Sequence, residues 1–110
     1  MVLEQDCNNF EELISSSDIP VLGFFYAPMS GPDHLMLSVL EKVDNQMKEQ
    51  LRIVKIDSEK YPHLASAYHV HALPTLLLFK KGQIVERIEE ERTEVLMSPE
   101  RLIQRLQPLI

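Results

Sequence analysis

Hydrophobic and polar positions change their spacing several times along the chain, and each spacing predicts a different element. A continuous apolar run from Val21 to Ala27 lies between two prolines, which is typical of a strand buried on both faces of a sheet. After Pro32 the apolar residues recur at steps of three and four, which predicts a long amphipathic helix. The segment from Arg52 to Asp57 then alternates apolar and polar residues, so it predicts a second strand.

Shorter signals predict the remaining elements. Asn8 or Asn9 can cap a first helix, Gly82 supplies the positive φ of a hairpin, and Ser98 followed by Pro99 marks a helix start. The elements predicted in this way are a strand at 2–5, helices near 10–14 and 62–68, strands at 75–80 and 83–88, and a last helix that ends before Pro108. The resulting order, β-α-β-α-β-α-β-β-α, gives a mixed sheet with helices on both faces.

The length and charge of the chain narrow the classes of function. Its 110 residues suit one domain, which we place at 1–110, and the net charge is −6. A nucleic-acid or membrane-surface partner needs clustered Lys and Arg, so neither is expected. The N-terminus has no apolar run typical of a signal peptide, and the one cysteine, Cys7, cannot form an internal disulfide. These features predict a cytoplasmic protein.

Three short motifs carry a resemblance to a known family. The turn at 29–33 reads Met-Ser-Gly-Pro-Asp, the segment at 70–75 reads Val-His-Ala-Leu-Pro-Thr, and the segment at 80–83 reads Lys-Lys-Gly-Gln. In order and spacing they resemble the active-site turn, the cis-proline segment and the late hairpin of thioredoxins. The resemblance covers nearly the whole chain and implies the α/β thioredoxin fold, in which helices flank a central mixed β-sheet on both faces.

The resemblance also implies that the redox groups of the family are replaced in this chain. The family turn reads Trp-Cys-Gly-Pro-Cys, so Met29 stands for the tryptophan, Ser30 for the nucleophilic cysteine and Asp33 for the resolving cysteine. Phe24 stands where the family has a buried carboxylate that relays protons. An alcohol and a carboxylate cannot carry out thiol–disulfide exchange. We therefore expect a redox-inactive member of the family, with no dithiol oxidoreductase activity, no catalytic residues and no cofactor.

The same motifs imply a binding surface for another protein at the cis-proline groove, so we expect an adaptor, an assembly factor or a chaperone-like protein. In relatives the cis-proline segment pairs with an extended client peptide, a mode of recognition that needs no thiol. We expect a cis bond between Leu73 and Pro74, and a protein or extended peptide partner. A basic or polar segment should bind better than an acidic one, because Asp33 and Glu90 carry negative charge. The chain is expected to be a monomer or a weak homodimer. The predicted contact residues are Met29, Ser30, Gly31, Pro32, Asp33, Leu73, Pro74 and Thr75.

Other interpretations of these residues stay open. Ser30 and Asp33 match a capping box, so their role can be limited to stabilising a helix start. An enzyme of another kind would use a Cys7 monothiol or a Ser30-dependent hydrolase site with His71 and Asp33. Cys7 is otherwise a small buried hydrophobe, and the whole chain can be a purely structural domain. The four histidines show no spacing that indicates a metal site, so none is expected.

Two charged features of the sequence are not explained by the motifs. The family often has a lysine at the position of Lys55, beside the buried carboxylate that Phe24 replaces. Either Lys55 therefore reaches solvent or another acid compensates its charge. The strongly charged stretch Glu86–Glu94 is interpreted as a solvated extension of an edge strand, with an altered groove or a dimer contact as the alternative.

Overall fold

The elements of the chain follow the predicted order. The computed structural model describes residues 3–4, 9–28, 31–89 and 98–110. The strands are β1 (Leu3–Glu4), β2 (Val21–Tyr26), β3 (Arg52–Asp57), β4 (Thr75–Lys80) and β5 (Gln83–Ile88). The helices are α1 (Phe10–Ser16), α2 (Gly31–Met47), α3 (Pro62–Ala67) and α4 (Pro99–Leu106), and a short 3-10 helix follows at Gln107–Leu109. Within the described ranges, no helix is both long enough and apolar enough to cross a membrane.

The strands form one mixed sheet in the order β1-β3-β2-β4-β5. Strand β2 runs parallel to β3 and antiparallel to β4, and β3 also pairs in parallel with β1. Val21 lies opposite Phe79, and Phe25 lies opposite Thr75. Because of this register, the end of β2 lies beside the beginning of β4. The turn that follows β2 and the segment that precedes β4 therefore meet at one edge of the sheet.

Alternate side chains of the strands enter two separate hydrophobic cores. On one face, Leu22, Phe24 and Ile53 pack with side chains of α2 and α4. On the other face, Phe25 and Val54 pack with side chains of α1 and α3. The prediction of a central mixed sheet with helices on both faces is confirmed.

The helix ends agree with the sequence only in part. Ser98 is the N-cap of α4, where its side chain accepts a hydrogen bond from the Arg101 N–H, and Pro99 follows it as predicted. Asn9 occupies the N-cap position of α1, but its side chain makes no capping hydrogen bond. The alternative cap, Asn8, lies outside the described residues. In the β4–β5 hairpin, both Lys81 and Gly82 have positive φ, at 51° and 82°, as a two-residue turn of this kind requires.

The segment before β4 is fixed by side chains at both of its ends. The Arg87 guanidinium of β5 donates through Nη2 to the Tyr68 carbonyl at 2.6 Å and through Nη1 to the His69 carbonyl at 3.2 Å. At the other end, the Thr75 hydroxyl donates to the Ala72 carbonyl at 2.5 Å. These bonds tie the segment 69–74 to the two strands of the hairpin.

The charged stretch at the end of β5 is therefore not simply solvated where the structure describes it. Besides the contacts of Arg87, the Glu86 carboxylate forms an ion pair with Arg105 of α4 at 2.8 Å. Residues 90–94 of that stretch, including Glu90, lie outside the described residues.

We predict that Arg87→Met lowers the free energy of unfolding by about 1–2 kcal/mol, because two carbonyls lose a charged donor. Urea unfolding measures this loss, and amide hydrogen exchange at 70–72 should become faster. The matched control is Arg105→Met, which removes one half-exposed ion pair and should cost about 0–1 kcal/mol. Equal losses in the two variants, with unchanged exchange at 70–72, would contradict this role for Arg87.

Candidate functional site

The candidate site lies where the β2–α2 turn meets the segment before β4. The pairing of Phe25 with Thr75 brings these two parts of the chain together. The bond between Leu73 and Pro74 is cis, the geometry that the resemblance implies. Gly31, the first residue of α2, is exposed, and Leu73 is half-buried. The site therefore offers a surface formed by two loops on one edge of the sheet.

Some of the predicted contact residues have buried side chains. Pro74 is buried and Thr75 is only 1% exposed. Their side chains therefore support the loop and do not form part of its accessible surface. Pro32 lies in the first turn of α2. Met29 and Ser30 fall outside the described residues.

Sequence reasoning missed one exposed apolar residue at this edge. Leu35 in the first turns of α2 is 65% exposed, more than any other large hydrophobic side chain of the described residues. In the sequence, Leu35 lies on the polar side of the helical pattern, where an apolar residue is not part of the buried stripe. This position is the signal that could have identified Leu35 as exposed.

Asp33 is buried, whereas the sequence analysis placed it on the contact surface. Its side chain is 2% exposed, and Oδ2 accepts a hydrogen bond from the Ala27 N–H at 2.6 Å. The donor lies three residues before Ser30, so this contact is not the reciprocal bond of a capping box. The reason for the burial is helical periodicity. Asp33 precedes Met36 and Leu40 by three and seven residues and faces the sheet with them.

The other oxygen of this carboxylate has no partner. Oδ1 of Asp33 is buried, and no hydrogen-bond partner for it exists among the described residues. A buried acceptor without a donor is costly, because the group loses its water and gains nothing in exchange.

Asp33 lines a cavity of about 220 Å³ that we name the Asp33–Lys55 cavity. The rings of Phe24 and Tyr26 stack in its wall, with centroids 5.4 Å apart. The ammonium of Lys55 lies 5.7 Å from the centroid of the Tyr26 ring, within the range of a cation–π contact. The residues that line the cavity are Phe24, Tyr26, Pro28, Asp33, His34, Leu37 and Lys55.

Lys55 and Asp33 line the same cavity. Phe24 has taken the place of the family's buried carboxylate, yet a carboxylate from α2, Asp33, lines the same cavity as the ammonium. The contact that the structure gives for the Lys55 ammonium is with the Tyr26 ring, and Asp33 shares only the cavity with it. Sequence reasoning did not connect the two residues because Asp33 was taken to face outward.

The histidines make local contacts and do not assemble a catalytic group. The ring of His34 donates from Nε2 to the Pro28 carbonyl at 2.6 Å, which links α2 to the preceding turn. The rings of His69 and His71 lie 6.4 Å apart on the segment before β4. Asp33 is bonded to Ala27 rather than to a histidine, so it does not orient His71 for a hydrolase. Within the described residues, no group of three or more possible ligands could hold a metal ion.

Among the residues that the structure describes, Tyr68 and Glu100 have shifted pKa values, and neither lines the cavity. Burial raises the pKa of the Tyr68 phenol, and the Glu11 carboxylate adds to the effect. Hydrogen bonds from its own backbone and from the Ser98 hydroxyl lower the pKa of Glu100.

Comparison with known proteins finds thioredoxins throughout. A thioredoxin-like protein of Synechocystis is 44% identical over 89 residues, which cover 81% of this chain and 85% of that protein. The chloroplastic thioredoxin Y2 of Arabidopsis thaliana is 46% identical over 86 residues, 78% of this chain but 52% of that protein. The chain thus spans about half the length of this plant relative. The crystal structure of oxidized mitochondrial thioredoxin 3 from Saccharomyces cerevisiae superposes with a TM-score of 0.79 at 28% identity, over 97% of this chain and 94% of that one.

These relatives contradict the expectation that the chain is not an enzyme. They are named thioredoxins, and thioredoxins are disulfide oxidoreductases, so the comparison points to enzymatic activity. The expectation rested on Ser30, Asp33 and Phe24, and activity of the remaining thiol was kept only as an alternative. That thiol belongs to Cys7, the one cysteine of the sequence, which lies outside the described residues.

The family model named Thioredoxin matches residues 1–100, a range that includes both loops of the candidate site and every residue that lines the Asp33–Lys55 cavity. Together with the relative 44% identical over most of both chains, this match settles the family. The chain belongs to the thioredoxin family.

Proposed function

We propose that the chain binds an extended segment of another polypeptide at the edge formed by the β2–α2 turn and the segment before β4. The observation that carries the proposal is the pairing of Phe25 with Thr75, since it brings the two loops together at one edge of the sheet. In this proposal Ser30 and Asp33 occupy the positions of the family's two active-site cysteines. The contact then depends on shape and polarity and not on a thiol in the turn.

The described residues at this edge suit a polypeptide partner. Leu35 is strongly exposed and Leu73 is half-buried, so an apolar side chain of the partner can remove both from water. Arg87 and Thr75 fix the segment between them, which lowers the entropy lost when a partner pairs with its backbone. The proposed surface consists of Gly31, Leu35 and 71–73, with Met29 and Ser30 as neighbours in sequence.

Charge favours a basic or neutral partner over an acidic one. The chain carries a net charge of −6, which attracts a basic segment over distances near the Debye length, about 8–10 Å at ordinary salt. Such attraction acts mainly on the association rate and weakens as salt is added.

A second candidate function follows from the relatives, which point to disulfide chemistry. The sequence offers one thiol for it, so the step would form a mixed disulfide between Cys7 and a client and release the client's other sulfur as a thiolate. An external thiol such as glutathione would then attack the mixed disulfide at the client sulfur. This attack restores the Cys7 thiolate and leaves the client sulfur joined to glutathione.

For the binding function, we predict that Leu73→Lys weakens peptide binding about tenfold, since it places a solvated ammonium where an apolar contact is needed. Fluorescence anisotropy measures the dissociation constants of short labelled peptides of equal length and apolar content, one basic, one neutral and one acidic. The neutral peptide isolates the apolar contact from the added charge. The basic peptide should bind the unaltered chain best, and sodium chloride should weaken it most.

The matched control for Leu73→Lys is Ile84→Lys, a similar change at an exposed residue beside Phe79, at the far end of β4. Ile84→Lys should change the dissociation constant of the neutral peptide by no more than about twofold, because Ile84 is remote from the proposed surface. If both lysine variants bind the neutral peptide as the unaltered chain does, the proposed surface is wrong.

For the thiol function, we predict that glutathione-dependent reduction of insulin by the chain falls to the blank rate in Cys7→Ser. Ser30→Ala is the control and should retain the rate, because an alcohol takes no part in exchange. Reduction that persists in Cys7→Ser would rule out the mixed-disulfide route, and so would an unaltered chain that never exceeds the blank.

A further inference from the structure

The first turn of α2 is bonded at two consecutive positions to the chain that leads into it. Oδ2 of Asp33 accepts a hydrogen bond from the Ala27 N–H at 2.6 Å. The next residue, His34, donates from Nε2 of its ring to the Pro28 carbonyl at 2.6 Å. Each bond joins residues that are six positions apart. The connection between β2 and α2 is therefore closed twice, once by a side-chain acceptor and once by a side-chain donor.

The polar backbone groups that follow β2 are thus bonded within the protein. The Tyr26 carbonyl accepts from the Ser58 N–H at 3.0 Å. The Ala27 N–H and the Pro28 carbonyl have the partners just described, and proline has no N–H of its own. A polypeptide that pairs through its backbone finds these groups already bonded. Residues 26–28 can therefore offer it a fixed shape.

The burial of Asp33 separates this role from direct contact with a partner. Its side chain is 2% exposed, so it can act on a partner only through the backbone that it holds. It lies on the buried stripe of α2 with Met36 and Leu40. A leucine would suit that stripe but would leave the Ala27 N–H without its acceptor. The backbone of the turn therefore gives a reason for a carboxylate at this position.

We propose that Asp33 and His34 are positioning residues of the polypeptide site, which hold the backbone at 27–28 so that the β2–α2 turn meets the partner without rearranging. This step rests on the proposed function. The held backbone leads toward Gly31, the exposed residue of the proposed surface that begins α2. A surface that is restrained before binding loses less conformational entropy when a partner arrives. The affinity for the partner then depends on the two bonds made by these side chains.

Two variants at Asp33 test the buried half of the proposal. Asp33→Leu removes the acceptor, whereas Asp33→Asn makes the same change in charge and keeps an oxygen for the Ala27 N–H. We expect Asp33→Leu to speed hydrogen exchange of the Ala27 amide about tenfold and to weaken binding of the neutral labelled peptide about fivefold. Asp33→Asn should stay within about twofold of the unaltered chain in both measurements, because the bond to Ala27 remains possible.

Two variants at His34 test the exposed half. His34→Ser is too short to reach the Pro28 carbonyl, whereas His34→Gln places an N–H donor the same number of bonds from Cβ as Nε2 of the ring. His34→Ser should weaken binding of the neutral peptide about threefold, and His34→Gln should restore most of the affinity. Nitrogen-15 spectra of the unaltered chain should show the proton of the neutral His34 ring on Nε2, and a proton on Nδ1 instead would contradict the bond.

Stopped-flow binding rates separate positioning from direct contact. A turn that is no longer held is ready for the partner only part of the time, so the association rate constant falls and the dissociation rate constant changes little. Loss of a direct contact would raise the dissociation rate constant instead. The matched control is Arg105→Met, which removes a surface ion pair between α4 and β5 and should leave both constants within about twofold.

The proposal is overturned if Asp33→Leu and Asp33→Asn bind the neutral peptide equally well, or if the losses appear only as faster dissociation. Should Asp33→Leu fail to fold, the His34 variants decide alone, and equal association rates in His34→Ser and His34→Gln reject the proposal. An unaltered chain that binds none of the three peptides rejects the proposed function and with it any role of these residues in binding. Faster exchange of the Ala27 amide in Asp33→Leu would then show that the two side chains fix the turn for the fold alone.

Discussion

The burial of β2 on both faces is the constraint on which the arrangement of this chain depends. Its side chains enter two cores in turn, so the strand must lie between neighbours and under helices from both sides. Pairing with β3 and β4 satisfies its backbone hydrogen bonds. The antiparallel register with β4 then determines which loops can meet. The proposed binding edge is thus a consequence of a buried strand and of one register.

The same helix that covers β2 also places a carboxylate inside the protein. Asp33 begins the buried stripe of α2, where a hydrophobic residue would be the stable choice, and one of its oxygens accepts no hydrogen bond from the described residues. Lys55 on β3 lines the same cavity, together with the stacked rings of Phe24 and Tyr26. These polar groups lie next to the β2–α2 turn, because Pro28 of that turn lines the same cavity.

The fold could be predicted from the sequence because the strongest signals in the sequence are local. The apolar run of β2, the periodicity of α2 and the Ser98 cap can each be recognised within a few residues, and each was confirmed. The cavity was not predictable in that way, since Asp33 and Lys55 come from different elements and meet only after α2 packs on the sheet. Asp33 was also misplaced because its charge suggested exposure, although its spacing from Met36 already indicated the buried face. The comparison with relatives corrected the expectation about enzymatic activity, which local motifs had not tested.

The most direct test of the account is to map where a polypeptide contacts the chain. Backbone amide shifts of the labelled protein are recorded as the unlabelled basic peptide is added to saturation. The account predicts that the largest changes fall at 26–28, 31–37 and 69–75, the two loops that the β2–β4 register brings together. Changes centred on the exposed face of β5 or on α4, with these loops unaffected, would contradict it.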